Sequence, residues 1–222
     1  MPVYNEKGTI REIVRRVQAV DLEKEIIIVD DASADGTADE LAAIAREHDN
    51  IRVFRHERNR GKGAALRTGF AQVAGDVVII QDADLEYNPQ EYHKLLEPII
   101  ADNADAVFGS RFLGGPRRVL YFWHYVGNWF LTLFSNALNN LNVTDMETCY
   151  KVFKTEALRK LKLRSNRFAI EPELTAKIAR ARLVLYEVPI TYHGRTYAEG
   201  KKIGWKDGLV ALWAVLFYRF FD

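Results

Sequence analysis

Four apolar runs, each followed by a turn and a helical pattern, constrain this chain more than any other feature. They are EIIIVDD (residues 25–31), IRVFRH (51–56), VVIIQDADLEY (77–87) and DAVFGS (105–110). Around them the spacing predicts helices over Thr9–Val20, Thr37–Glu47, Gly61–Val73 and Pro89–Ile100. Thr9 with Glu12, and Thr37 with Glu40, have the spacing of capping boxes. Strands alternating with helices in this way form a mostly parallel sheet, covered on both faces. Ligands of such sheets collect beyond the carboxyl ends of the strands. Asp30, Asp31, Asp82, Asp84, Ser110 and Arg111 all fall there. PVYNEKGT (2–9) reads as a loop into the first helix, and whether a strand precedes it is left open.

QDADLEY sets Asp82, Asp84 and Glu86 at alternate positions, which in an extended segment share one face. Two carboxylates about 5 Å apart repel by roughly 3 kcal/mol at an effective dielectric near 20, so a compensating cation is expected. Carboxylate oxygens are hard ligands suited to Mg²⁺ or Mn²⁺, and Mg²⁺ takes only one or two of them beside water and substrate phosphates. The turn therefore suits a metal shared with a nucleoside diphosphate, and a solvated acidic turn is the plain alternative. In DDASADGT (30–37) an acid ending a strand can bond a ribose or base. Asp35-Gly36-Thr37 also suits a simple turn and helix start. RNRGKGAALRTG (58–69) opens a helix with Lys62 between two glycines, a place for an anion. It lacks the spacing of a kinase-type P-loop.

The second half differs in texture. Residues 117–141 are apolar apart from a narrow stripe at helical spacing: His124, Asn128, Thr132, Ser135 or Asn136, and Asn139. YKVFK (150–154) and LVLYEVPI (183–190) read as strands, and Ala169–Ala181 as a helix with Pro172 in its first turn. Seven aromatic residues fall between Tyr121 and Phe134 and six between Trp205 and Phe221, and these include all four tryptophans. Beside Arg117, Arg118, Lys201, Lys202 and Lys206, that is the composition of helices lying at a lipid interface. Mutual packing or a dimer contact is the alternative. No apolar run reaches the ~18 residues of a spanning helix, and no basic-then-apolar leader opens the chain.

Bulk properties narrow the classes. A chain of 222 residues suits one domain, and its net charge of +1 argues against nucleic acid as a partner. Cys149 is the only cysteine, which excludes an internal disulfide and fits a reducing compartment. The five histidines form no zinc-binding pattern.

PVYNE, DDASADGT, NRGKGAALRTG, QDADLEY and FGSRF, in this order, resemble the family 2 glycosyltransferases of GT-A fold. Among these they are most similar to the dolichyl- and polyprenyl-phosphate sugar synthases. The resemblance runs from Pro2 to about Gly208. It implies a Rossmann-like sheet with helices on both faces and C-terminal amphipathic interface helices. Residues 1–115 would be the nucleotide-sugar half, 116–206 the acceptor half and 207–222 a membrane-proximal helix. Pro2, Tyr4 and Glu6 would line the nucleotide pocket, with Asp31 and Asp35 near base and ribose and Lys62 beside the nucleotide. Asp82, Asp84 and Glu86 would stand on the metal side, where mannose synthases usually carry Gln at the third position. Arg111 follows the next strand. TDMETCYKVF would place Asp145 beside the sugar, FAIEPEL supplies Glu171 as a matching acid, and Arg195, Lys201 and Lys202 would meet the acceptor phosphate.

The implied activity is metal-dependent, inverting transfer of a hexose from GDP-mannose or UDP-glucose, or a donor of that type, to polyprenyl phosphate. It would take place at the cytoplasmic face of a membrane. A lipid phosphate needs little help from a base, since its second pKa is about 6. A hydroxyl acceptor would need one, with Asp145 first in line. The rivals are transfer to a soluble or cell-envelope saccharide, a non-catalytic nucleotide-binding protein, and a nucleotidyltransferase.

Overall fold

A computed structural model describes residues 1–114, 116–119, 121–196 and 205–221, without the side chains of 205–207. Strand β1 (Pro2–Val3) leads to α1 (Ile10–Gln18), β2 (Ile26–Asp30), α2 (Thr37–Glu47), β3 (Ile51–Arg55) and α3 (Lys62–Phe70). Then come β4 (Val77–Ile79), a 3₁₀ turn (Pro89–Glu91), α4 (Tyr92–Ile100) and β5 (Ala106–Ser110). The second half adds α5 (Phe122–Asn139), β6 (Lys151–Lys154), α6 (Thr155–Lys160), α7 (Ile170–Arg180), β7 (Leu185–Pro189) and α8 (Trp205–Phe220).

The strands form two sheets, β1-β2-β3 and β4-β6-β5-β7. All pairs are parallel except those of β6, which runs antiparallel to β4 and β5. Helices cover both faces. Along β5 and β6, Val107 and Val152 face a core built with α1, α2 and α4, while Phe108 and Phe153 face a second core built with α3, α6 and α7. Ile10, Ile13, Val14 and Val17 give α1 its buried stripe, each worth ~1.5–3 kcal/mol of apolar burial.

Four expectations change. The opening loop contains a strand after all, since Pro2 and Val3 pair in parallel with Val29 and Asp30. Neither capping box forms. Thr9 Oγ1 bonds Glu6 while Glu12 pairs with Arg15 and Arg16, and Asp35 rather than Thr37 caps α2, accepting from Thr37 N at 3.0 Å. The acidic turn is not extended: β4 stops at Ile79, and Leu85 is left-handed at φ 65°. Helix α6, directly after β6, was not expected.

Helix α5 is polar on its inner side. Thr132, Ser135 and Asn139 are buried, whereas Phe122, Trp123, Trp129 and Phe130 are exposed. The stripe serves the turn before β6: Thr132 Oγ1 accepts from Met146 N at 3.2 Å, and Asn136 Nδ2 donates to Val143 O at 2.7 Å.

Candidate active site

The loops beyond β1 and β2 are stitched together by backbone donors. Asn5 N donates to Ser33 Oγ, Glu6 N to Thr37 Oγ1 and Lys7 N to Asp35 Oδ2, while Ala34 N donates back to Asn5 Oδ1. Asp31 is buried, and both its oxygens are engaged: Arg60 N and Gly61 N donate at 2.8 and 2.7 Å, and His56 Nδ1 lies 2.7 Å away. It therefore anchors the glycine loop that opens α3. Gly61 sits at φ +92°, and a side chain at Gly63 would lie 2.5 Å from Ser165 O, so this loop packs backbone to backbone on residues 165–167.

That close packing lowers Lys62 into the site. Its ammonium lies 3.0 Å from Asp82, 3.1 Å from Glu171 and 3.0 Å from Cys149 Sγ. Burial pulls its pKa down, but its acidic neighbours, Asp82 first, outweigh this and hold it well above the usual lysine value. Asp82 is held from the other side by Gln81, whose Nε2 donates to the Asp82 carbonyl at 2.9 Å while its Oε1 accepts from Tyr92 and Tyr150.

Asp84 and Glu86 turn to a different cation. Arg195 donates to Asp84 at 2.9 Å and to Glu86 Oε1 at 3.3 Å, and lies 3.7 Å from Glu6. The other Glu86 oxygen accepts from Tyr192 OH at 2.7 Å. Burial first, then the charges of Asp82 and Glu86, push the Asp84 carboxyl up to about 7 in spite of Arg195. Arg111 lies across Tyr192, 5.1 Å from its ring centre, and grips Asp145 with two bonds of 2.6 and 2.7 Å. Asp145 is fully buried.

The model of Glycosyl transferase family 2 matches residues 1–162. The chain belongs to that family. An undecaprenyl-phosphate mannosyltransferase of Micrococcus luteus is 30% identical over 92% of this chain and 86% of its own length. A UDP-N-acetylglucosamine–dolichyl-phosphate N-acetylglucosaminyltransferase of Methanococcus voltae is 30% identical over 86% of this chain and 82% of its own. The glucosyl-3-phosphoglycerate synthase of Mycobacterium tuberculosis, solved with Mn²⁺, UDP and glucosyl-3-phosphoglycerate, superimposes with a TM-score of 0.73 at 22% identity, over 98% of this chain and 77% of that one. It supports the same GT-A fold.

Within the family fold the expected residues divide into groups. Glu6, Asp84, Glu86 and Arg195 form one linked cluster, Lys62, Asp82 and Glu171 a second, and Arg111 with Asp145 a third, joined to the first through Tyr192. Pro2 lies in β1 and Tyr4 is 41% exposed. Asp35 accepts from Lys7 N and Thr37 N, and Asp31 from Arg60 N and Gly61 N. Lys201 and Lys202 lie outside the described residues. Sequence reasoning missed His56, Gln81, Glu147 and Tyr192. The first two stand at the ends of β3 and β4, where a search for polar residues closing apolar runs finds them; Tyr192 had no such signal.

Proposed function

We propose that the chain transfers a hexosyl group from a nucleoside diphosphate sugar to polyprenyl phosphate at a membrane surface. The observation that carries this reading is the inverted α5. Its polar side reaches the site through Asn128, whose Oδ1 accepts from Arg111 at 3.2 Å. Its aromatic side stands in solvent, with Trp123 78% and Phe122 65% exposed. A groove of about 300 Å³ between Phe112, Tyr125, Asn128, Trp129, Leu133 and Thr144 joins the two. Helix α8 adds exposed Leu209, Val210, Trp213 and Phe220. An acceptor with a charged head and an apolar tail uses both sides, whereas a soluble saccharide uses neither the groove nor the aromatic face. Among the described residues no helix is long and apolar enough to cross a membrane, so binding would be interfacial. The relatives' names support the acceptor class. They name different sugars, so the donor is stated here only as a GDP- or UDP-hexose.

The acidic turn fits a divalent cation, Mg²⁺ or Mn²⁺: its donors are hard oxygens, and three carboxylates, Asp82, Asp84 and Glu86, stand within five residues of one another. Asp82, Asp84 and Glu86 would hold the ion in place of Lys62 and Arg195, the cations that now face them. Bound there, it would supply positive charge to the departing diphosphate.

This chain's own residues account for the remaining steps. Lys62, kept charged by its acidic neighbours, donates to the leaving diphosphate as charge develops in an oxocarbenium-like transition state. Arg195 is the cation assigned to the acceptor phosphate, whose oxygen attacks the anomeric carbon and inverts it as the nucleoside diphosphate leaves. That phosphate, with a second pKa of about 6, is largely ionised and needs no base. Both Asp145 oxygens are committed to Arg111, so Asp145 positions that arginine.

Release of UDP or GDP from nucleotide hexoses, with short-chain polyprenyl phosphate in anionic vesicles, tests the reading. Asp84→Asn should lower turnover at least ~100-fold, within the range for losing one electrostatic group in a site. Equal rates in the two proteins, or transfer to soluble saccharides with no transfer to the lipid, would sink it.

A further inference from the structure

Charge is unevenly divided along this chain. Residues 155–182 carry eight lysines and arginines against three acids, a net of +5. The whole chain is +1, so everything outside that segment is −4. Folding sharpens the contrast. Glu171 and Glu173 are buried, and Lys177 with them. The other seven cations are exposed, Lys160, Lys162, Arg180 and Arg182 among them, and Glu156 is the segment's one exposed carboxylate. Among the described residues Lys160, Lys162 and Arg182 pair with no carboxylate.

Packing gathers these cations beside the end of α8. Lys177 donates to the Lys162 carbonyl and pairs with Glu173. Glu173 in turn accepts from Arg164 N and Ser165 N at 2.7 Å, so segment 162–165 lies along α7. Tyr218 of α8 closes the group. Its OH lies 2.7 Å from Ser165 Oγ, its ring stands 5.6 Å from the Lys177 ammonium, and its carbonyl accepts from Arg180 at 3.4 Å. The turn that ends α7, where Arg182 N donates to Ala179 O, keeps Arg182 at the same end. Just past Tyr218, Phe220 and Phe221 are 62% and 70% exposed.

A row of exposed cations bordered by exposed aromatic rings suits a negatively charged bilayer. The ammonium and guanidinium groups meet lipid phosphates while the rings enter the headgroup region. A long polyanion such as nucleic acid suits it less, because wherever it reached past this face it would meet the net negative remainder of the chain. A planar leaflet touches one side only. We propose that segment 159–167, with the end of α7, docks on acidic phospholipids, a contact separate from the acceptor's own phosphate. The proposal rests on the membrane reading of the transferase and adds the charge of the leaflet. It also gives the enzyme an orientation, since cations along one flank of α8 hold that helix with Trp213 and Phe220 toward the lipid.

Flotation of the whole chain tests this with no acceptor present. Vesicles of phosphatidylcholine alone are compared with vesicles of phosphatidylcholine and phosphatidylglycerol, both free of polyprenyl phosphate. Each cation near such a leaflet is worth about fivefold in binding, so wild type should bind the mixed vesicles at least tenfold more tightly. Added salt should erase that preference by screening. The triple variant Lys160→Gln, Lys162→Gln, Arg182→Gln should lose the preference and still bind neutral vesicles within roughly twofold of wild type. All three positions are exposed, so its circular dichroism should match wild type. Equal binding of wild type to both vesicles overturns the proposal. A preference undiminished in the variant, as it would be if Arg117 and Arg118 supplied it, does the same. So does tighter binding of a DNA duplex than of the mixed vesicles. A preference lost in the variant, with no transfer to polyprenyl phosphate by either protein, supports the docking face and counts against the acceptor named above instead.

Discussion

Arg111 and Asp145 show how a charged pair can be held inside this molecule. Asp145 is fully buried and the Arg111 side chain is 15% exposed, with two short bonds between them. Glu187 accepts from the Asp145 backbone N–H at 3.0 Å and so fixes the turn that presents the carboxylate. Removing one partner leaves the other charge buried and alone, so Asp145→Asn should cost ~3–5 kcal/mol of stability in urea denaturation. Glu147 makes a pH prediction. Its folded pKa, about 7, lies above the ordinary glutamate value of 4.5. A raised acid stabilises the fold fully below its unfolded pKa, and that contribution is lost as pH rises through the folded one. Wild type should therefore lose more stability than Glu147→Gln between pH 4.5 and 7, with a difference of about 1–3 kcal/mol. Parallel stability curves would refute it.

At the scale of elements, segment 192–195 matters most, because it carries Arg195 onto the acidic turn. Glu86 straps it down: its carbonyl accepts from His193 N at 3.0 Å, and its carboxylate accepts from Tyr192 OH and Arg195 N. Glu86→Ala should speed hydrogen exchange at the Arg195 amide by tenfold or more, the worth of a bond to a charged acceptor. Unchanged protection would show that other contacts hold the segment. The acidic triplet was legible as a cluster of negative charge, yet its shape was not. Period-two spacing placed all three acids on one face, whereas the left-handed Leu85 bends the chain and divides them between Lys62 and Arg195. Local pattern has no access to which distant cation an acid will find.

For the whole molecule, the arrangement of apolar surface is what the proposed membrane contact rests on. One core lies on each face of the sheets, and α8 joins the second through Val215 and packs Ala214 and Tyr218 near α7. Its other side, with Leu209, Val210 and Trp213, stays exposed as the outer face of α5 does. Trp123→Ser combined with Trp213→Ser should leave the fold intact and reduce flotation with anionic vesicles by about tenfold or more, since burying one large apolar side chain is worth ~1.5–3 kcal/mol. Flotation equal to wild type would place the contact elsewhere.

The alternation of apolar runs and helices was enough to establish an α/β sheet, and the acids at their ends marked the end of it where the candidate site lies. Those are short-range facts, set by side-chain periodicity and by the chain's reluctance to bury charge. Tertiary structure alone decided three things. Asp31 and Asp35 hold loops, Glu171 meets Lys62, and the polar stripe of α5 turns inward. Each depends on partners many positions away, and only the packed fold brings those partners within bonding distance.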